Sequence, residues 1–168
     1  MNTRIQSQAK KPFLKESDGF IISEIKGLPP NRGHAFYESA KNTFSKTDLK
    51  VLYFPKEQFE LMRNGITKDK LTDVVITEEL ANQMYVALGI KYYLHVEILE
   101  LPEDYRYDNI TVTLRFTLIN LTDTRPSYLF KVKTSYNSWT SFEPDRASVL
   151  GIAFHKAMKK LRRELIKD

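Results

Sequence analysis

The chain has 168 residues, of which 42% are hydrophobic and 28% charged, a composition that suffices for one domain with its own core. It contains no cysteine, which excludes disulfides, thiolate metal sites and cysteine nucleophiles. The net charge of +5 is concentrated at the ends: residues 1–18 carry +2 and residues 155–168 carry +4, so the segment between them sums to −1. Because a nucleic-acid-binding domain usually carries a basic stripe across its folded body, this distribution argues against a nucleic-acid partner.

The first half of the sequence predicts short elements separated by turns. Residues 1–18 are polar and show no periodicity, so we predict a polar tail or tether, followed by a single domain over residues 19–168. The elements predicted next are a strand over residues 20–25, a helix over 33–45, a buried strand over 49–54, a short helix over 58–62 and a helix over 78–88. The last of these begins after Thr77, a good N-cap, and ends at Gly89.

The clearest pattern is strict alternation of apolar and polar residues over three successive segments, residues 91–101, 111–119 and 128–136. The apolar positions are Tyr92, Leu94, Val96, Ile98, Val112, Leu114, Phe116, Leu118, Tyr128, Phe130 and Val132. A period of two is typical of strands with one buried and one polar face, and the short linkers favour antiparallel pairing of neighbours. The sequence therefore predicts a three-stranded antiparallel meander.

The chain closes with an amphipathic helix that begins at about residue 145. Its apolar positions recur at helical spacing and are Ala147, Leu150, Phe154, Ala157, Met158, Leu161 and Leu165. The basic residues Lys156, Lys159, Lys160 and Arg163 are predicted to lie opposite. Because the apolar side of such a helix must be buried, the apolar face of the meander is its expected partner. The predicted fold is α/β (α+β): a mixed sheet with a C-terminal antiparallel three-strand meander, helices packed on one face, and a closing amphipathic helix.

No motif in the sequence indicates catalysis or metal binding. The three histidines, His34, His95 and His155, fall in different predicted elements and share no motif with a nucleophile. There is no HExxH or other metal-binding spacing, no glycine-rich phosphate loop and no G-x-S-x-G elbow. We therefore expect a non-enzymatic domain with no catalytic residues, no cofactor and no metal.

Two features indicate binding instead. The first is the aromatic loop, residues 136–142, with Tyr136, Trp139 and Phe142. Such side chains are typical anchors of protein interfaces, although they also close the ends of cores. The second is the polar sheet face, the side of the meander that carries His95, Glu97, Thr113, Arg115, Lys131 and Lys133. The alternative for this face is a solvated surface with cross-strand pairs such as Glu97 with Arg115 or Lys131.

The order of elements and two segments resemble a known group of proteins. Residues 88–98, a helix end followed by a glycine and a returning strand, resemble a step found in bacterial envelope lipoprotein domains. These include the curli-secretion lipoprotein, the outer-membrane activators of penicillin-binding proteins and the amino-terminal domain of the Tol translocation protein. Residues 116–125 are similar to the strand that enters a D-x-x-T-G hairpin in that group, but Arg125-Pro126 stands in place of the hairpin glycine. The resemblance covers about residues 18–166.

The resemblance implies a non-enzymatic role at the cell envelope through binding of another envelope protein. It also implies a periplasmic or outer-membrane location and membrane association only through a lipid anchor that this chain does not contain, with residues 1–18 as the tether. If no signal peptide was removed, the expected location is the cytoplasm. The alternative function is a cytosolic domain that binds an acidic or nucleic-acid partner through Lys131, Lys133 and the basic closing helix.

Overall fold

The computed structural model describes residues 2–8, 18–28, 30–67, 76–101, 109–137 and 146–166. Within these residues the elements are, in chain order, β1 (Asn2–Gln8), β2 (Phe20–Ile22), α1 (Pro30–Thr43), β3 (Val51–Tyr53), α2 (Phe54–Arg63), α3 (Glu78–Leu88), β4 (Tyr92–Glu100), β5 (Asn109–Asn120), β6 (Pro126–Asn137) and α4 (Arg146–Leu165). Every helix and strand predicted over residues 20–165 is present, but the strand predicted over 20–25 ends at Ile22, and the strand predicted over 49–54 is limited to Val51–Tyr53 because Phe54 begins α2. Helix α1 begins three residues earlier than predicted, because a proline is tolerated in the first turn of a helix.

The six strands form one mixed sheet in the order β1-β6-β5-β4-β2-β3. Strands β4, β5 and β6 pair antiparallel with their neighbours, which confirms the predicted meander. Strand β2 lies between β3 and β4 and is parallel to both. The parallel and antiparallel pairs together give the mixed sheet of the predicted α+β fold.

The main core lies between the meander and the helices α1 and α4. The even-numbered apolar side chains predicted for the three strands pack here, with Ile98 only partly buried. Phe154 of α4 stacks on Phe36 of α1 with ring centroids 4.7 Å apart, and Phe116 stacks on Phe130 at 4.9 Å. Since burial of one such side chain stabilises the folded state by about 1.5–3 kcal/mol, this layer of aromatic rings fixes both helices on this face of the sheet.

A second, smaller core forms around α2 and α3. It contains the strand residues Ile21, Tyr93 and Ile119, whose neighbours Phe20, Tyr92 and Leu118 belong to the main core. Successive side chains of a strand point to opposite faces, so this cluster covers one end of the face that α1 and α4 leave open. The ends of α3 are capped as predicted: the Leu80 amide donates to Thr77 Oγ1 at 3.3 Å, and Gly89 takes the left-handed φ of 64°.

The structure adds a strand that the sequence did not predict. Residues 2–8 lie inside the segment expected to be a polar tail, yet they form β1 and pair with β6 along their whole length. Lys156 of α4 also donates to Thr3 Oγ1 at 2.8 Å, and Thr3 Oγ1 lies 3.1 Å from Thr134 Oγ1 of β6. These contacts attach β1 to both layers of the fold. A tethering role for residues 1–18 stays a prediction.

Candidate functional site

The polar sheet face is one continuous surface. In the register of the sheet, Glu97 of β4 lies opposite Arg115 of β5, which lies opposite Lys131 of β6. A second row places Thr113 opposite Lys133. Directly opposed residues on antiparallel strands project to the same side, so the residues predicted for this face are brought together on it.

The centre of this face is a two-point ion pair. Arg115 Nε donates to Glu97 Oε2 at 2.6 Å, and Arg115 Nη2 donates to Glu97 Oε1 at 2.8 Å. This hydrogen-bonded guanidinium lowers the pKa of Glu97 against the opposing effect of burial, and the carboxylate in turn raises the pKa of Arg115. Parallel N–H···O bonds of this kind fix the orientation of both groups. The pair therefore forms a rigid charged element at the middle of the face.

His95 differs from its expected position because it is buried, with 6% of its surface exposed. Its Nδ1 atom lies 3.6 Å from Glu97 Oε2, and its ring lies 6.2 Å from that of Tyr93. Tyr93 belongs to the second core, which covers this end of the sheet. His95 therefore lies beside Glu97 on the covered side of this face, where its ring is buried.

The charges on the open part of the face change sign across the strands. Thr113 Oγ1 donates to Glu100 Oε2 at 2.9 Å, and Lys133 Nζ lies 3.9 Å from the same oxygen. On the far side, Arg4 of β1 lies opposite Lys133. The acids Glu97 and Glu100 thus belong to β4, whereas bases accumulate on β6 and β1.

Arg4 and Glu100 belong to this surface but were missed by sequence reasoning. Arg4 was missed because β1 was not predicted. Glu100 has the parity of the apolar positions, and a register irregularity between Ile98 and Glu100 places it opposite Thr113 on the polar side. The mixed charge of the segment around Glu100 gave no sign of that irregularity. The β1 strand, by contrast, has a weak alternation of Thr3 and Ile5 with Arg4 and Gln6 that could have been found.

The aromatic loop is described only at its start. Tyr136 lies in β6, is partly buried and packs against the main core. Trp139 and Phe142 lie outside the described residues. A binding role for the loop therefore stays a prediction. Its first aromatic side chain, Tyr136, packs against the main core.

Among residues 2–8, 18–28, 30–67, 76–101, 109–137 and 146–166, no group of three or more His, Asp or Glu side chains could hold a metal ion. None of the helices in those segments combines the length and apolarity needed to cross a membrane.

The fold is shared with solved bacterial proteins, while no family model and no curated protein matches the sequence. The PelC dodecamer from Paraburkholderia phytofirmans matches over 99% of this chain and 100% of its own, with a TM-score of 0.58 and 15% identity. Lipoprotein GNA1162 from Neisseria meningitidis matches over 87% of this chain and 99% of its own, with a TM-score of 0.55 and 13% identity. The second of these is named a lipoprotein, and at 13–15% identity both similarities show the fold, so the resemblance inferred from the order of elements is confirmed for the fold.

Proposed function

We propose that this chain is a non-enzymatic domain of the bacterial cell envelope that binds another envelope protein through its polar sheet face. The observation that carries the proposal is the fold, which is similar to PelC over 99% of this chain and to a lipoprotein over 87% of it. A domain of this group would be held at the periplasmic side of a membrane by a lipid anchor. The PelC structure is a dodecamer, so a fold of this kind is compatible with extensive protein contacts.

The open part of the polar sheet face suits protein recognition because its charges are ordered and stand on rigid strands. The Glu97–Arg115 pair is already formed, so it loses little side-chain entropy when a partner binds. Lys131 and Lys133 extend the basic side of the face toward β1. Such an arrangement selects a partner with the opposite charge order and orients it as it approaches.

The test places a photo-crosslinking amino acid at position 113 of the full-length protein in its native cells. Position 113 lies on the open face opposite Lys133, and Asn82, exposed on α3, serves as the control position. We expect one discrete crosslink to an envelope protein from position 113 and none from position 82. The double variant Lys131→Glu/Lys133→Glu should abolish the crosslink, and Arg63→Glu/Arg125→Glu, which changes the net charge equally at exposed sites elsewhere, should preserve it.

Two results would contradict the proposal. A crosslink that appears equally from both positions would show no preference for the sheet face. A crosslink that survives the Lys131→Glu/Lys133→Glu reversal would show that the basic side of the face does not select the partner. The crosslinked protein can then be purified and titrated against the Lys131→Glu/Lys133→Glu and Arg63→Glu/Arg125→Glu variants, which measures its affinity for each.

A further inference from the structure

A groove runs between α1 and α4 on the side of these helices that faces away from the sheet. Its volume is about 870 Å³, and it is partly open to solvent. One wall is formed by α4, with His155, Lys159, Arg162 and Arg163. Because α1 and α4 cover the face opposite to the polar sheet face, the groove and that face lie on opposite sides of the molecule.

The α4 wall carries a ladder of basic groups. His155, Lys159 and Arg163 follow each other at intervals of four residues, so they stand about 6 Å apart on one line of the helix. Lys159 and Arg163 have no ion-pair partner in the described part of the chain. Lys159 and Arg163 are like charges four residues apart, which lowers helix stability by a few tenths of a kcal/mol. Arg163 lies in the last turn of α4, where a cation is favourable, so Lys159 is the member of the ladder that the stability of α4 does not explain.

Neighbouring charges on the same helix are arranged differently. Lys160 Nζ lies 2.7 Å from Glu164 Oε1, and both side chains are almost buried. Glu164 also accepts a hydrogen bond from the buried Tyr128 hydroxyl. The sequence placed Lys160 on the exposed basic side, whereas the structure uses it in this internal pair. Glu164, the acidic residue of α4 near the ladder, is therefore paired inside the fold and does not offset the charge of the groove.

The opposite wall, formed by α1, supplies small polar groups and little negative charge. Ser39 Oγ lies 3.4 Å from His155 Nδ1, and Asn42 is exposed. The acid on this wall, Glu38, lies 3.7 Å from His34 Nε2 and 3.8 Å from Lys56 Nζ. Lys56 offsets its charge, and Lys159, Arg162 and Arg163 on the α4 wall give the groove a positive potential.

Two further contacts describe the inside of the groove. Arg162 Nη1 donates to the Thr43 carbonyl oxygen at 3.3 Å, which holds the guanidinium at the C-terminal end of α1. Partial burial, and then the nearby Lys159, lower the pKa of His155. Both observations agree with a groove that is concave, partly desolvated and positively charged.

We infer that the α1–α4 groove binds an acidic peptide segment, whose carboxylates pair with Lys159 and Arg163 while its backbone meets Ser39 and Asn42. Alternate residues of an extended segment are about 6.6–6.8 Å apart, close to the spacing of the ladder. A bilayer surface is flat and would be kept from the groove floor by the α1 wall, so a peptide fits better than lipid headgroups. The inference shares with the proposed function only the assumption that the occupant is a protein.

The test uses a dye-labelled ten-residue peptide with glutamate at every second position and serine between, and a matched peptide with glutamine in place of glutamate. Fluorescence anisotropy at low ionic strength measures binding to the full chain. We expect the glutamate peptide to bind and the glutamine peptide not to bind. Removal of each basic group in Lys159→Gln and Arg163→Gln should weaken binding about fivefold, the upper end for an exposed ion pair, and the double variant about 25-fold. The control Arg63→Gln/Arg125→Gln carries the same net charge and should bind like the wild type.

Each other outcome overturns the inference. Equal loss in the control would show that binding follows net charge alone. Absence of peptide binding by the wild-type chain would also refute the inference. So would binding of vesicles with about 30% anionic phospholipid through Lys159 and Arg163 when the peptide does not bind. On the wild-type chain, NMR shifts induced by the peptide should centre on the amides of Ser39 and Asn42. The variant Lys131→Glu/Lys133→Glu should leave peptide binding unchanged, so failure here is distinguishable from failure of the sheet-face proposal.

Discussion

Substitution of Gly33 by alanine would have two opposing effects on stability, one through helix propensity and one through packing against Tyr53. Gly33 lies in α1, where alanine would raise helix propensity by up to about 1 kcal/mol. However, a Cβ atom at this position would lie 2.0 Å from the Tyr53 hydroxyl oxygen. The Tyr53 side chain is buried and its ring stacks on Tyr37 with centroids 5.7 Å apart, so it cannot move away freely. Overpacking of this kind costs about 1–3 kcal/mol, which exceeds the gain in propensity.

We therefore expect Gly33→Ala to lower the free energy of unfolding by about 1–2 kcal/mol, which corresponds to a fall in Tm of about 2–8 °C for a chain of this size. Urea-induced unfolding followed by circular dichroism measures the change. In the Tyr53→Phe background the nearest ring atom would be Cζ at 3.2 Å, so the same substitution should cost less than about 0.5 kcal/mol or stabilise the fold.

Gly151 of α4 provides the matched control, because a Cβ atom there would meet no other atom within 4 Å. Gly151→Ala should stabilise the fold by up to about 1 kcal/mol. The steric argument is refuted if Gly33→Ala stabilises the wild-type chain as Gly151→Ala does, or if its cost is unchanged when the Tyr53 hydroxyl is removed.

Three further predictions concern stability. Because Arg115 stabilises ionised Glu97, Glu97→Gln should lower the free energy of unfolding by about 0.5–1 kcal/mol at pH 7. The carboxylate is protonated as the pH falls below the ordinary value of 4.5 and through its lowered pKa, so the difference in stability from the wild type should then vanish. Urea titrations at pH 7 and pH 3 measure this, and an equal difference at both values would contradict it. Thr77→Ala removes the hydroxyl that accepts from the Leu80 amide, so thermal unfolding should show a loss of about 1 kcal/mol, whereas no loss would mean that the cap is not formed. Deletion of residues 1–8 should expose the β6 edge and increase hydrogen exchange of its amides, and unchanged exchange in β6 would argue against the β1–β6 pairing.

The elements that the sequence predicted well are those in which local pattern and burial agree. The alternation from Tyr92 to Val132 matches the register of the meander, because the even-numbered apolar positions all pack in the main core. Helix α3 was bounded correctly by Thr77 and Gly89, since both residues act through contacts with their own helix. In these places the information is local, so it can be read from the sequence.

The features that escaped prediction depend on contacts between distant segments. Strand β1 is polar and follows no strong pattern, and it exists because β6 offers an edge more than 120 residues away, as in the pair Thr3 with Thr134. His95 is buried because the second core covers Tyr93 beside it. Glu100 joins the polar sheet face through a local irregularity in β4. The sequence therefore predicted part of the residues of the polar sheet face. The residues at its edges and the distribution of acidic and basic groups across it became known only from the structure.

The central claim is that the chain acts at the cell envelope, and the most direct test is fractionation of native cells with mass spectrometry of the mature N-terminus. We expect the full-length protein in the envelope fraction with a lipid-modified N-terminus. An unmodified N-terminus in the cytosolic fraction would contradict the proposed function and leave the fold unchanged.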